Sequence, residues 1–424
     1  MKHYYLVSLG CPKNLVDSEI FADILQKAGY RSTDRIDKSD LVLINTCGFI
    51  NPAKEESLQY LLESAEYKKH NKKITLIATG CLVKRYYHEL KQNIKGIDHF
   101  IALKDFSALA ALLGVEDKFS RKLLTPGHYA YLRISDGCSN NCSYCTIPQI
   151  RGALASIAWE NLQAEAEYLG TRGVKELIIT AQDITRYGTD LYGKPKLGDL
   201  IEKLHEIKDI EWIRLLYLHP AHIKEDLVRR ISSLPKVCPY FDIPLQHVSN
   251  RILQSMNRRI TKSEIFDLLE MVRHHIPAAE FRTTFIVGYP GETAADFSEL
   301  LDFIKINKFI RLGAFLYSRE EGTVAYDLKP HITSRTARSR LDTLLSVQQQ
   351  ISADVLSNFI GRKIEVIIDQ ITDDKDFRFI GRTKYDAPDI DGQVYIAGEG
   401  LAPGDIVNVN IIDSGEYDLV GQIL

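Results

Sequence analysis

The amino-acid sequence predicts an α/β multidomain protein with three successive domains. Strand-like and helix-like segments alternate through the first 355 residues, which is typical of α/β domains. A charged stretch ending in Pro-Gly interrupts this alternation near residue 120, and after residue 355 the pattern changes to short strands separated by Gly and Pro turns. We therefore predict domains at 1–115, 128–355 and 356–424, with a linker at 116–127. With 424 residues, of which 45% are hydrophobic, the chain can form several cores.

The first domain repeats a strand-then-helix unit. Its strands are continuous apolar runs, as expected for a parallel sheet covered on both faces: 4–10, 41–46 and 74–80, with a fourth candidate at 99–103. Amphipathic helices are predicted between them at about 14–28, 52–69 and 84–92. This alternation indicates a doubly wound, flavodoxin-like α/β domain.

One cysteine directly follows each of these first three strands: Cys11, Cys47 and Cys81, here called the N-terminal cysteine set. Because the carboxyl ends of parallel strands lie along one edge of a sheet, we expect the three thiols to converge there. The alternative is three unrelated buried cysteines, since free cysteine is a common core residue. Their equivalent positions on three strands favour a shared iron–sulfur cluster instead.

The second domain continues the alternation with six more units. Strands are predicted at 129–134, 176–181, 213–218, 240–245, 282–288 and 311–318, and helices at 158–171, 197–207, 222–233, 262–275 and 293–307. Six units fit a partial, TIM-like (β/α)6 barrel that is open on one side, and a helix over 334–356 leads out of it. Polar residues gather at the predicted strand ends, including Gln182, Asp183, His219 and His247. For either histidine a structural role explains the position as well as a functional one.

The stretch 131–152 carries three cysteines at CxxxCxxC spacing: Cys138, Cys142 and Cys145, here called the loop cysteine set. Three thiolates on one short loop can bind three irons of a [4Fe-4S] cluster and leave the fourth iron open to a small molecule. A zinc knuckle or an electron-transfer ferredoxin needs a fourth ligand, and no Cys or His follows within the next fifty residues. With the aromatic Tyr144 before the last cysteine, the stretch resembles the radical S-adenosylmethionine (SAM) superfamily.

The third domain has the pattern of a small antiparallel β-barrel of the oligonucleotide-binding type, with strands at 363–370, 377–383, 392–398, 405–413 and 417–424. From residue 356 onward it holds thirteen acidic and six basic residues, whereas the whole chain has a net charge of only −3. An acidic surface attracts a basic protein and repels nucleic acid, although it can also be a solvated surface that binds nothing. The acids cluster at Asp373, Asp374, Asp376, Asp386, Asp389 and Asp391.

Over essentially its full length, the chain resembles the methylthiotransferase family of radical SAM enzymes, which combines an N-terminal α/β domain carrying three cysteines, a radical SAM barrel and a C-terminal TRAM β-barrel. Four long strings resemble the branch that modifies a ribosomal protein, the RimO type: SLGCPKNLVDSE, NTCGFINPAKEES, LGAFLYSREEGT and YDAPDIDGQVYIA. One residue departs from the pattern, because Ile157 stands where such enzymes usually have a basic residue.

The resemblance implies two [4Fe-4S] clusters and SAM as cofactors, with both cysteine sets as catalytic residues. The loop cysteine set would bind the cluster that holds SAM, and the N-terminal cysteine set would bind the cluster that holds a sulfur atom. The resemblance also implies a SAM pocket that includes Tyr144, Gln182, Ile286, Gly288 and Glu292. The seventh cysteine, Cys238, is interpreted as structural.

The implied reaction adds a methylthio group to the β-carbon of an aspartate in the small-subunit ribosomal protein twelve. SAM would be both radical source and methyl donor, with sulfide or polysulfide as co-substrate. A general base cannot activate that carbon at neutral pH, so a radical cofactor is needed. The implied partners are this basic ribosomal protein, bound partly through the acidic C-terminal barrel, and an electron donor such as flavodoxin or ferredoxin.

Two other functions stay open on sequence grounds. A methylthiotransferase acting on a tRNA adenosine is disfavoured by the acidic C-terminal domain, because tRNA binding needs positive charge. A non-enzymatic iron–sulfur or zinc protein is disfavoured by the six-unit barrel. The sequence has neither a membrane-spanning apolar run nor a signal peptide, and its seven cysteines predict thiolate ligands in the reducing cytoplasm.

Overall fold

The computed structural model describes residues 1–116 and 120–424. Residues 117–119 of the predicted linker therefore lie outside the described residues. Within the described ranges, no helix combines the length and the apolar character needed to cross a membrane.

The N-terminal domain is a five-stranded parallel sheet with the strand order β2-β1-β3-β4-β5, the flavodoxin-like order. Its strands are β1 (Lys2–Ser8), β2 (Tyr30–Ser32), β3 (Leu41–Thr46), β4 (Thr75–Gly80) and β5 (His99–Phe100). Its helices are α1 (Pro12–Lys27), α2 (Asn51–His70), α3 (Cys81–Arg85), α4 (Tyr87–Asn93) and α5 (Phe106–Leu113). Separate apolar cores on the two faces of the sheet confirm the doubly wound prediction.

Three details of this domain differ from the sequence analysis. The short edge strand β2 was not predicted, because three largely exposed residues give no periodic signal. The helix predicted at 84–92 is two helices, α3 and α4, and α5 was not assigned. None of these differences moves the carboxyl ends of β1, β3 and β4.

The central domain is a six-stranded parallel sheet that does not close, with the strand order β13-β12-β11-β10-β9-β6. Its strands are β6 (Tyr129–Arg133), β9 (Glu176–Thr180), β10 (Trp212–Leu215), β11 (Val237–Asp242), β12 (Glu280–Val287) and β13 (Arg311–Leu316), with a small separate hairpin of β7 (Ser135–Asp136) and β8 (Ala155–Ser156). The partial (β/α)6 barrel is confirmed.

The helices of this domain are α6 (Ile147–Arg151), α7 (Trp159–Thr171), α8 (Leu197–His205), α9 (Glu225–Ser232), α10 (Asn250–Ser255), α11 (Lys262–His275), α12 (Ala294–Asn307) and α13 (Ser334–Ser357). The large core between helices and sheet is built from alternate strand residues such as Ala130, Leu132 and Ile179. The intervening residues, such as Tyr131 and Ile178, point to the concave face, where they contact Val16 of α1. The concave face is therefore where the other domains meet the barrel.

The C-terminal domain is a closed five-stranded barrel in the order β14-β15-β16-β18-β17. Its strands are β14 (Lys363–Ile371), β15 (Phe379–Thr383), β16 (Val394–Ala397), β17 (Ile406–Ser414) and β18 (Leu419–Ile423). All neighbours are antiparallel except β16 and β18, which run parallel. A closed barrel with an odd number of strands must contain a parallel pair, and apart from this pair the predicted small antiparallel β-barrel is confirmed.

This barrel packs against the amino ends of the central strands through buried ion pairs. Glu176, the first residue of β9, lies 2.6 Å from Arg214 and 2.8 Å from Arg382, and all three side chains are almost fully buried. Arg311 pairs with Asp386 at 2.5 Å. These pairs lie in a buried interface between the two domains.

Two members of the predicted acidic cluster are therefore not on the surface. Asp386 is buried against Arg311, and Asp391 accepts hydrogen bonds from Arg282 (3.2 Å) and from the hydroxyl of Tyr240 (2.6 Å). The exposed acids of the cluster are Asp373, Asp374, Asp376 and Asp389. The net charge of the sequence overstated the acidic surface of this domain. It cannot distinguish acidic residues buried in the domain interface from those exposed to solvent.

Candidate active site

The N-terminal cysteine set converges at one edge of the first sheet, as predicted from the strand ends. Cys11 precedes the first residue of α1, Cys47 follows β3, and Cys81 is the first residue of α3. Cys47 and Cys81 are buried, and Cys11 is partly buried. The Cys81 thiol lies 3.8 Å from the side-chain oxygen of Asn14, one turn into α1.

Glycines next to these cysteines make the convergence possible. A Cβ atom on Gly10, whose φ is +89°, would lie 2.7 Å from the Cys47 sulfur. A Cβ atom on Gly48 would lie 2.7 Å from the backbone nitrogen of Leu82, directly after Cys81. Only glycine allows the three loops to approach this closely. This is a sequence signal that the cysteine spacing alone does not reveal.

The three thiols of this set differ in acidity. Burial acts to raise the pKa of Cys11, but the positive charges of Lys13 and Arg151 outweigh it and leave that pKa below its ordinary value. Burial raises the pKa of Cys47 and raises the pKa of Cys81 to about 12. Because thiolates are the ligand form, metal binding must release protons from these two thiols.

The loop cysteine set lies beyond β6, on a loop anchored from several directions. The Cys138 N–H donates to the Gly152 carbonyl (3.0 Å), and the Ser143 N–H donates to the Met256 carbonyl (3.1 Å). Gly137, with φ +69°, is required because a Cβ atom there would lie 2.0 Å from a backbone oxygen. Burial raises the pKa of Cys138 and raises the pKa of Cys145 to about 12.

The donor chemistry of both sets fits a polynuclear cluster. Across residues 1–116 and 120–424, neither set brings all three sulfur atoms within 4.8 Å of one another. Thiolates on a single tetrahedral zinc ion lie about 3.8 Å apart, because each Zn–S bond is about 2.3 Å long. In a [4Fe-4S] cluster each thiolate binds a different iron, so a wider spacing is needed. Each set has three cysteines and so fits a cluster with one open iron.

Arg151 joins the two cysteine sets. Its guanidinium donates to Asn14 (2.9 Å) and Asp17 (3.0 Å) of the N-terminal domain, and to Asp136 (3.2 Å) just before the loop cysteine set. Burial acts to raise the pKa of Asp136, but Arg151 and Arg133 hold it well below its usual range. Arg151 therefore connects residues next to both cysteine sets through a charged contact, which the sequence analysis did not foresee.

The predicted SAM-pocket residues divide into two groups. Tyr144 and Ile286 belong to one small apolar cluster beside the loop cysteine set, and the Gln182 amide donates to Asp136 at 3.1 Å. Gly288 and Glu292 have structural partners instead. A Cβ atom on Gly288 would lie 2.7 Å from the Cβ of Ala337 in α13, and the Glu292 carboxylate accepts from the Gly288 N–H at 2.8 Å and pairs with Arg340.

A polar pocket next to the loop cysteine set includes residues that the sequence analysis missed. Asn140 donates to Asp183 (2.7 Å), and its side-chain oxygen lies 3.0 Å from His222 Nε2. The His222 ring stacks on His219 with 4.7 Å between centroids. In the described part of the chain, Asp183, His219 and His222 are the one group whose ligand atoms are close enough to share a metal ion.

The surrounding charge favours an anion over a metal ion in this pocket. Burial and then Arg258 lower the pKa of His219 to about 2, and Arg258 also donates to the Cys142 sulfur at 3.6 Å. His219 Nδ1 accepts from the Ala221 N–H, so Nε2 carries the proton. This Nε2 and the Nε of Arg258 are buried without a partner among the described residues. Two free N–H donors, one of which belongs to a positively charged guanidinium, are suited to bind a carboxylate group.

Three other residues of the sequence analysis have clear surroundings. His247 is fully buried and its Nδ1 accepts from the Ser249 N–H at 3.0 Å, which fits a structural role. Cys238 is buried in the apolar cluster at the concave face. Ile157 is partly buried and packs against the main core of the barrel.

Family models match all three domains. The model of the "Uncharacterized protein family UPF0004" matches residues 3–102, that of the Radical SAM superfamily matches 132–304, and that of the TRAM domain matches 360–424.

Curated relatives match over the full length. The chain is 44% identical over 437 residues to the ribosomal protein uS12 methylthiotransferase RimO of Clostridioides difficile, with 99% of this chain and 98% of the relative covered. It is 44% identical to the protein of the same name from Bacteroides fragilis, over 428 residues and with the same coverage.

Solved structures show the same fold at low sequence identity. The radical SAM methyltransferase TsrM from Kitasatospora setae matches with a TM-score of 0.54 at 12% identity, over 74% of this chain and 75% of that chain. The cobalamin-dependent SAM radical enzyme OxsB matches with a TM-score of 0.52 at 10% identity, over 83% of this chain and 56% of that chain.

Proposed function

The chain belongs to the RimO family of ribosomal protein uS12 methylthiotransferases, and from this premise we propose that it adds a methylthio group to the β-carbon of an aspartate in uS12. Radical SAM chemistry and SAM follow from the family. The number of clusters, the sulfur source and the roles of individual residues are our proposal.

The observation that carries the proposal is the arrangement of the two cysteine sets. Both meet the donor requirements of a [4Fe-4S] cluster with an open iron, and Arg151 connects residues next to the two sets across the domain boundary. The loop cysteine set would hold a cluster that supplies the electron for SAM cleavage, and the N-terminal cysteine set would hold a cluster that carries the sulfur to be transferred. A substrate placed between the sets would be within reach of both activities.

The chain's own residues would bind and orient SAM. Tyr144 and Ile286 offer an apolar contact for the adenine, and the pocket of Arg258 and His219 offers donors for the methionine carboxylate. Asp183, which already accepts from Asn140, offers a carboxylate for the amino group. Gly288 and Glu292 would act indirectly, by holding α13 against the barrel.

The partner contacts are also proposed. The exposed acids Asp373, Asp374 and Asp376 in the β14–β15 turn would contact basic uS12 and repel tRNA. An electron donor such as flavodoxin or ferredoxin would reduce the cluster of the loop cysteine set, and sulfide or polysulfide would be the co-substrate. Modification of a ribosomal protein would place the enzyme in the cytoplasm.

The experiment that tests this function offers both substrates in one tube. The protein is reconstituted anaerobically with iron and sulfide, and is then given SAM, reductant, purified uS12 and bulk tRNA. Mass spectrometry of both substrates shows where the methylthio mass appears. We expect it on one aspartate of uS12. Methylthio adenosine in the tRNA fraction would keep the chemistry but overturn the substrate, and unmodified uS12 and tRNA in spite of SAM cleavage would overturn the transferase function.

A further inference from the structure

Lys13 is a buried lysine that lies close to Cys11 and against Tyr217, without a carboxylate partner in the described ranges. Its side chain is in the first turn of α1, and the residue is only 6% exposed. The ammonium lies 3.6 Å from the centroid of the Tyr217 ring. The groups that act on its charge are Tyr217, Cys11 and Arg151, and none of them is a carboxylate.

The neighbouring acids are already paired with arginines. Asp17 pairs with Arg133 and Arg151, Asp136 also pairs with Arg151, and Asp242 pairs with Arg282. A buried ammonium without a counter-charge is costly, so its position indicates a negative partner. Because the nearby carboxylates of the chain are engaged, that partner has to come from a bound molecule or from the cluster next to Cys11.

Tyr217 is held in place by an unusual backbone conformation. It follows β10 with φ +64°, a left-handed value that costs a non-glycine residue about 1 kcal/mol or more. Its N–H donates to Asp242 at 2.9 Å, and its carbonyl accepts from the Ile184 N–H at 3.2 Å. The half-buried ring is thereby fixed against Lys13 at the carboxyl end of the central sheet.

We propose that Lys13 and Tyr217 bind the side-chain carboxylate of the substrate aspartate and so select aspartate over asparagine. This inference rests on the proposed function. The carboxylate carbon of aspartate is bonded directly to the β-carbon, so fixing the carboxylate also fixes the reacting carbon between the two cysteine sets. An ammonium and a phenol are both donors, and a carboxylate accepts strong charge-assisted hydrogen bonds from them.

The test measures binding rather than turnover. The holoenzyme, with its clusters reconstituted but without SAM or reductant, is titrated with uS12 and with uS12 whose target aspartate is replaced by asparagine. We expect the parent to prefer the aspartate form by about tenfold or more, the range for a hydrogen bond to a charged group. Lys13→Met should reduce the preference to nearly none, and Lys13→Arg should restore part of it. Lys84→Met is the matched control, because it removes an exposed positive charge three residues after Cys81.

Iron content and cluster absorption are recorded for every variant. If Lys13→Met keeps the parent's aspartate preference, the inference is wrong and the proposed function stands. If Lys13→Met keeps the aspartate preference but binds less iron than the parent, the only role of Lys13 is to compensate the negative charge of the cluster. The inference is then also wrong. If Lys13→Met does not fold, the same titration is made with Tyr217→Phe. An unchanged preference for aspartate in that variant would show that Lys13 and Tyr217 do not select the carboxylate. A parent that does not bind uS12 at all overturns both the inference and the proposed function.

Discussion

The two ends of the central sheet use buried polar groups in opposite ways. At the amino end, where the C-terminal barrel docks, buried charges form ion pairs such as Glu176 with Arg214 and Arg382. At the carboxyl end, buried polar atoms next to the cysteine sets have no partner in the described part of the chain: Gln182 Oε1, His219 Nε2 and Arg258 Nε. The ion pairs at the amino end are made within the protein, whereas these three atoms at the carboxyl end are left for a ligand.

This difference between the two ends indicates that one end of the sheet contributes to stability and the other to function. A buried polar group without a hydrogen bond costs about 1–3 kcal/mol, and a ligand that bonds to it removes that cost. Paired charges at the amino end hold two domains in register, whereas the unpaired polar atoms at the carboxyl end lie where we propose that SAM and substrate bind. Substitutions at the two ends should therefore have separable effects on stability and on activity.

The largest expected effect is at the carboxyl end. Cys142→Ala removes one thiolate of the loop cysteine set, so SAM cleavage should be abolished. The N-terminal cysteine set is unchanged and should still bind its cluster, leaving about half of the parent's iron. Anaerobic reconstitution, iron analysis and quantification of deoxyadenosine measure both effects.

Cys238→Ala is the matched control for this prediction, because Cys238 is a cysteine buried at the concave face among apolar residues. It should keep the parent's iron content and its SAM cleavage. Deoxyadenosine produced by Cys142→Ala at the parent rate would show that the cluster assignment is wrong.

The next largest effect is expected at the amino end. Glu176→Gln removes the charge that two buried arginines share, which should lower the free energy of unfolding by about 3 kcal/mol. The folded protein should still bind SAM with unchanged affinity, because the cysteine sets lie at the opposite end of the strands. Urea denaturation and SAM binding, measured on the same preparation, test the two statements together.

Glu365→Gln provides the comparison for this variant. Glu365 forms a 2.7 Å pair with Lys384, but about half of its side chain is exposed. Such a pair contributes about 1 kcal/mol or less, so its loss should hardly move the unfolding midpoint. If the two variants unfolded alike, burial of the amino-end pairs would not be what holds the barrel in place.

The sequence predicted most of the carboxyl end and little of the amino end. The N-terminal cysteine set could be predicted because strand ends of a parallel sheet share an edge, and the loop cysteine set because its spacing is local. Arg151 and Lys13 could not, since their partners come from other domains and only the packing of the domains brings them together.

Charge was the weakest guide. The net charge of the C-terminal domain treats Asp386 and Asp391 like the exposed Asp373, although both are buried against arginines of the central barrel. Whether an acid is paired depends on which face of the barrel docks, and composition does not contain that information. Strand pattern was more informative, because most side chains of a sheet that is covered on both faces are apolar.

One residue at the amino end breaks the rule that charges there are paired. Glu280, the first residue of β12, has no ion pair among the described residues, and burial raises its pKa to about 7 in spite of Arg273, Arg362 and Arg311 nearby. The folded protein thus keeps a proton that the unfolded chain, with an ordinary pKa of 4.5, loses. The stability that this proton contributes is complete below pH 4.5 and is lost as the pH rises through 7.

Glu280→Gln cannot ionise, so it should match the parent near pH 5 and become more stable than the parent by pH 8, by at most about 3 kcal/mol. Unfolding midpoints of both proteins at pH 5, 6, 7 and 8 measure the difference. Glu270→Gln is the control, because this exposed glutamate also acts on Arg273 and its loss removes the same charge. A constant difference between parent and Glu280→Gln across this range would mean that Glu280 is already ionised in the folded protein. Burial would then not keep Glu280 protonated, and the charges of Arg273, Arg362 and Arg311 would compensate its own.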